Sequence, residues 1–172
     1  AVASLIVLPD WYGLESNPFG RPDFDRAMVL ARLGDRQGAL AAYEMALEHS
    51  PDDPDVVFRR GEHLELIGRR SEAIQAYERA AQLAPTSYKP SLSLGAAHLL
   101  EGDLEAAWVA LAEAEARGDP SGRALYNMGL LRERQGRLEE AVSLFESSLT
   151  RPDRAADKGL RHLGLARCLV QL

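Results

Sequence analysis

The stretch 54–87, PDVVFRRGEHLELIGRRSEAIQAYERAAQLAPTS, is the unit that the rest of the chain repeats. Moving 34 residues either way brings back the same residue types. Gly61 returns as Gly95 and Gly129, and Gly68 as Gly34, Gly102 and Gly136. Ala73 returns as Ala39, Ala107 and Ala141, and Tyr77 as Tyr43, Leu111 and Phe145. Ala80 returns as Ala46 and Ala114, with Ser148 last, and Pro85 returns as Pro51. A fixed period of this length marks a stacked architecture, because one such unit cannot bury its apolar face alone.

Each unit holds two amphipathic helical patterns around a glycine turn. The spacing predicts helices over 24–33, 39–47, 56–67, 71–83, 90–100, 104–116, 124–134 and 138–149. A last helix is predicted from about 157 to the end. Pro54 sits in a first turn, where its missing N–H has no partner to lose. Asp53, Ser87 and Ser121 are the expected N-caps or near-caps. Only the first eight residues leave room for alternation of period two, so the fold is all-α with nine helices.

The recurring small residues carry a packing argument. Antiparallel helices approach closely only where small side chains face each other. Gly61 and Ala73 are placed for that contact within a unit, Ala80 for contact with the next unit, and Tyr77 to fill the gap between them. Stacked units then curve into a superhelix with a concave and a convex side.

Composition removes several function classes. The 172 residues carry a net charge of −6, which argues against a nucleic-acid partner. Cys168 is the sole cysteine and has no partner for an internal disulfide. His49, His63, His98 and His162 include no i, i+4 pair, and no CxxC exists, so no metal is expected. No GxSxG or glycine-rich phosphate loop occurs, so neither catalysis nor a cofactor is expected. The carboxylates of 101–105 and 137–140 stand at starts of second helices, where the helix dipole favours negative charge.

Residues 1–20 form an apolar segment and a linker, AVASLIVLPDWYGLESNPFG. Two readings fit the apolar run. It is the end of a membrane helix, with Trp11 and Tyr12 at the lipid–water interface. Otherwise it is a short buried strand or helix packing on the array. The chain starts at Ala1 and stops in mid-pattern at Leu172, so it reads as a piece of a longer protein.

In this register the chain resembles the tetratricopeptide repeat (TPR) family. The second unit offers Val57, Arg60-Gly61, Leu64, Ala73, Tyr77, Ala80 and Pro85 at the family's offsets. The third offers Leu94-Gly95, Ala107, Leu111 and Ala114, and the fourth Leu125, Met128-Gly129, Ala141 and Phe145. The first has Ala27 where glycine is usual. The fifth shows only a first helix, with Leu163-Gly164 displaced by one residue. Asp119 and Asp153 stand where proline is expected. The repeats are drawn at about 20–53, 54–87, 88–121 and 122–155, with an incomplete fifth at 156–172.

The resemblance implies a right-handed superhelical solenoid and a protein–protein interaction scaffold whose concave groove, lined by first helices, holds a partner peptide or protein. One subgroup grips a C-terminal carboxylate with Lys and Asn residues; those places here hold Phe24 and Met28, or Phe58 and Glu62, so that mode is not expected. A second reading makes the chain the C-terminal tail of a larger bacterial membrane enzyme of the mannosyltransferase type. The two readings leave its location either cytoplasmic or attached to a bacterial membrane.

Counting Pro54 as the first place, the second and fifth places are expected to face the groove. The fifth places hold Phe24, Phe58, Leu92, Tyr126 and, in the shifted last copy, Arg161. The second places hold Arg21, Asp55, Lys89, Arg123 and Lys158. With Glu62 and Asn127 beside them, they suggest a peptide with apolar anchors and acidic groups. The last helix has no second helix to cover it, so Leu163, Leu165 and Leu169 are expected to promote self-association or fraying.

Overall fold

A computed structural model describes residues 21–152 and 155–172. Among the described residues the chain forms nine helices and no strand. They are α1 (Pro22–Leu33), α2 (Arg36–His49), α3 (Pro54–Leu66), α4 (Arg70–Leu83), α5 (Tyr88–Glu101), α6 (Leu104–Ala116), α7 (Arg123–Arg134), α8 (Leu138–Leu149) and α9 (Ala155–Gln171). Helices pair as α1–α2, α3–α4, α5–α6 and α7–α8, and each pair stacks on the next, with α9 closing the stack on α8. The expectations placed on residues 1–20 lie outside the described residues. Among the described residues no helix is long and apolar enough to cross a membrane.

The turn inside each pair is made by one device. Gly34, Gly68, Gly102 and Gly136 all take φ between 72° and 86°. Side chains with a Cβ are disfavoured in that left-handed region, so glycine ends the first helix while the chain reverses. In two of these turns a carboxylate meets the N–H groups at the next helix start, while Arg69 and Arg137 hold that place in the other two and make no capping bond. Asp35 accepts from Gly38 N at 2.9 Å, and Asp103 from Ala106 N at 3.0 Å. Asp53 accepts from Asp55 N and Val56 N, as expected. Ser87 occupies a cap position, but its side chain makes no capping bond.

At the third junction the cap is different from the one expected. Gly122 is the cap residue of α7, and Ser121 Oγ reaches only Arg123 N, at 3.3 Å. Asp119 does the main work. It is fully buried and accepts from Ser121 N, Ser121 Oγ and Ala124 N at 2.6–2.9 Å. The carboxylate therefore holds the turn that a proline would have stiffened.

The core follows the small-to-large pattern. Ala73, Tyr77 and Ala80 are fully buried, as are Ala141 and Phe145. A Cβ added to Gly61 would lie 2.8 Å from the Tyr77 ring, and one added to Gly129 would lie 2.6 Å from the Phe145 ring. These contacts are closer than any carbon pair tolerates, so the missing side chain is what lets the ring of the second helix sit against the first. Tyr77 also donates its hydroxyl to Glu65 at 2.8 Å, so the buried phenol is not left unpaired.

The last helix is only half covered. Gly164 lies on Phe145, Cys168 is buried, and Leu165 packs beside them, so Leu165 is not one of the uncovered groups. Leu160, Leu163, Leu169, Val170 and Leu172 are exposed. Burial pushes the Cys168 thiol up, away from the reactive thiolate.

Candidate functional site

The first helices α1, α3, α5, α7 and α9 line one side of the stack. Side chains on that side divide into those consumed by internal packing and those left to meet solvent. The fifth-place residues largely belong to the first group. Phe24 is buried, with its ring 6.2 Å from Tyr43, and Leu92 is buried against Leu111. Phe58 lies 5.7 Å from Tyr77 and Tyr126 lies 5.6 Å from Phe145, each tilted against the ring of its own second helix. Both remain half-exposed, so each offers an edge. Arg161 is buried and donates to the carbonyls of Ser148, at 2.6 Å, and Ser121. It therefore ties α9 to α8 and to the α6–α7 turn, and it does not line the groove.

The second-place cations split by position along the array. Arg21 donates to Asp53 at 2.6 Å, lies 3.6 Å from Asp55, and stands 4.5 Å over the Phe24 ring. Burial alone would raise the Asp53 carboxyl. The hydrogen bond and charge of Arg21, with the N–H groups of Val56 and Asp55, outweigh this and hold it below the usual carboxylate range. Further along, Lys89, Arg123 and Lys158 are exposed and enter no ion pair among the described residues. Asn127 is half-exposed on α7, one residue beyond Tyr126.

A cleft of about 370 Å³ opens between α1 and α3. Its walls are Met28, Ala31 and Arg32 from α1, Tyr43 from α2, and Arg59, Glu62, His63 and Leu66 from α3. The polar groups deepest in it are already committed. Tyr43 donates its hydroxyl to the sulfur of Met28 at 3.4 Å, and His63 Nε2 bonds the Arg36 carbonyl at 2.8 Å. Burial raises the Tyr43 phenol, so it stays protonated. Arg59 pairs with Glu62 at 2.8 Å on the rim. Of the residues expected in the groove, Glu62 alone lines this cleft.

Sequence reasoning passed over the thirteenth places. Leu66 and Leu100 are 64% and 59% exposed, and Leu169 in the shifted copy is also exposed, while Arg32 and Arg134 hold the place in the first and fourth repeats. The signal was present: Leu64 and Leu99 fill the buried face, so an apolar residue one or two positions on must point elsewhere.

Two models described as tetratricopeptide repeat match the chain, over residues 24–88 and 124–167. No curated protein matches it by sequence. Among solved structures, a crystal structure of MamA protein is 26% identical with a TM-score of 0.70, over 74% of this chain and 70% of that one. MamA from Desulfovibrio magneticus RS-1 is 20% identical with a TM-score of 0.76, over 87% and 82%. YrrB, a TPR protein with an unusual peptide-binding site, is 20% identical with a TM-score of 0.72, over 94% and 82%.

Proposed function

Because the chain is a tetratricopeptide repeat array, we propose that it is a binding scaffold that lays an extended segment of a partner protein along its concave face. The observation that carries this is the pair of exposed leucines at equivalent places of two successive first helices, Leu66 and Leu100. Isolated exposed leucines need no explanation, but a repeat-spaced pair on neighbouring first helices suits a peptide-binding surface. Peptide binding in YrrB, which shares the fold, supports the same use. The half-exposed edges of Phe58 and Tyr126 add apolar contact, and Asn127 offers its amide to a peptide backbone. Lys89, Arg123 and Lys158 supply positive charge and enter no ion pair among the described residues, which favours a segment with acidic groups.

The test is selection from a random peptide library with wild type and a Leu66→Glu/Leu100→Glu variant. Both residues are exposed, so the variant keeps its helical circular dichroism. Selection of peptides by the wild type that the variant no longer holds supports the groove. Equal retention by both proteins would retire it.

A further inference from the structure

The cleft between α1 and α3 differs from the rest of the groove in a way that specifies a ligand. Its floor is apolar: Met28 and Ala31 pack beside buried Tyr43, and exposed Leu66 lines the mouth. The two polar groups that reach it are satisfied, Tyr43 by the Met28 sulfur and His63 by the Arg36 carbonyl. A polar side chain entering there would lose its water and gain no partner, an unfavourable exchange. An apolar side chain loses nothing. At about 370 Å³ the space lies at the small end for ligand sites, which run from roughly 300 Å³ upward, and suits one bulky side chain. Met28 forms one wall, and the unbranched thioether adapts to branched or flat occupants.

The rim adds a second requirement. It carries two guanidiniums, Arg32 and Arg59, against one carboxylate, Glu62. Arg59 is paired with Glu62, whereas Arg32 is exposed and enters no ion pair among the described residues. The unbalanced charge is therefore positive, and it sits at the mouth, not on the floor. We infer that the α1–α3 cleft is the specificity pocket of the array. It takes one large apolar side chain of an extended partner segment, with an acidic side chain a residue or two away pairing with Arg32. This rests on the groove reading above and adds to it a place, an order and a charge. The acid is a side chain and not a chain terminus, because the floor holds no free donor to fix a terminal carboxylate, while a rim guanidinium suits a flexible carboxylate.

The probe is a 12-residue random library displayed as an internal loop, so that no peptide ends in a free carboxylate. Ala31→Phe fills the cleft from a half-exposed position, and Arg32→Glu reverses the free rim charge without touching the core. A third variant, Lys89→Glu/Arg123→Glu, alters the groove well away from the cleft. The expected result is that wild type selects Leu, Met or Phe followed within two residues by Asp or Glu. Ala31→Phe should weaken the selected peptide by about tenfold or more, as loss of an anchor pocket does. Arg32→Glu should shift selection toward Lys or Arg at the second position. Peptides bound equally by wild type and both cleft variants, but lost with Lys89→Glu/Arg123→Glu, would overturn this inference and leave the groove reading standing. No selection by any protein would remove both. Selection only from a matching library with free C-termini would overturn the assignment to an acidic side chain.

Discussion

The two halves of the array share one register and use it differently. In repeats one and two, α1 and α3 stand apart, and the gap becomes a cleft lined by Met28, Ala31, Tyr43 and, at its mouth, Leu66. In the later repeats α5 packs directly on α7, and α7 on α9. At that end buried polar groups tie the turns: Asp119 on the start of α7, and Arg161 on the carbonyls of Ser148 and Ser121. A shared pattern of Gly, Ala and aromatic places sets how the helices of one pair meet. The residues between those places decide whether neighbouring first helices close or leave a pocket. One end of the solenoid thereby keeps an open cleft, and the other is tied together by buried polar groups.

The comparison breaks first at Asp119. Replacing it with Ala leaves the N–H groups of Ser121 and Ala124 without their acceptor in a buried turn. The combined loss of cap and hydrogen bonds should cost about 3 kcal/mol. Denaturant midpoints measure it, and a change no larger than at an exposed site would mean the polar junction is not what fixes α7. In the other half, Ala73→Leu drives a side chain into a fully buried contact and should cost about 2 kcal/mol through overpacking. Glu72→Ala is the control: Glu72 pairs with Arg69 at the half-exposed start of α4, and its removal should move the midpoint far less. The reverse order would mean the register is misaligned.

A subtler difference lies at α9. Its inner face is anchored by Arg161, Cys168 and the Arg167–Glu133 pair at 2.6 Å, while Leu160, Leu163 and Val170 are exposed among the described residues. Amides of α9 should exchange faster than those of α3–α6, because helices held on one face open more readily. Protection of α9 that rises with protein concentration would show instead that a second copy covers the bare face. Protection equal to α4 at high dilution would show that one face suffices.

Much of this was legible in the sequence, for a reason that also explains what was not. Glycine turns, buried alanines and the Tyr77 and Phe145 knobs are backbone and packing constraints, and they recur because every pair must solve the same problem. The helix bounds followed from them. Asp119 was read as a lapse from proline, because a carboxylate that acts from three residues before the cap position depends on how the turn folds. Arg161 counted as a fifth-place residue, but the displaced fifth unit turns it into the interior. The groove was drawn along the fifth places, where Phe24 and Leu92 are spent on packing, whereas Leu66, Leu100 and the α1–α3 cleft depend on the distance between first helices. Spacing along a chain sets which way a side chain points; it does not set how far apart two helices stand.

The smallest expected effect concerns the start of the array. Arg21 joins the beginning of α1 to Asp53 in the turn before α3, and Asp53 also caps α3 through the N–H groups of Asp55 and Val56. The charge tie and the cap are separable, because Asn caps a helix about as well as Asp does. Asp53→Asn therefore removes the charge and keeps the cap, and at neutral pH it should cost under about 1 kcal/mol, the scale of an ion pair with one partly exposed partner. The folded carboxyl is held below its ordinary value, so the folded state binds this proton less readily than the unfolded chain does. Its contribution is then fully present above the unfolded Asp value of about 3.9 and is lost as the pH falls through the lower folded value. Urea midpoints of wild type and Asp53→Asn should differ at pH 6, and the gap should shrink as the pH falls below about 3.9. A gap that stays constant over that range would assign Asp53 to capping alone, and would leave the first repeat with no electrostatic tie to set against the buried polar junction at the other end.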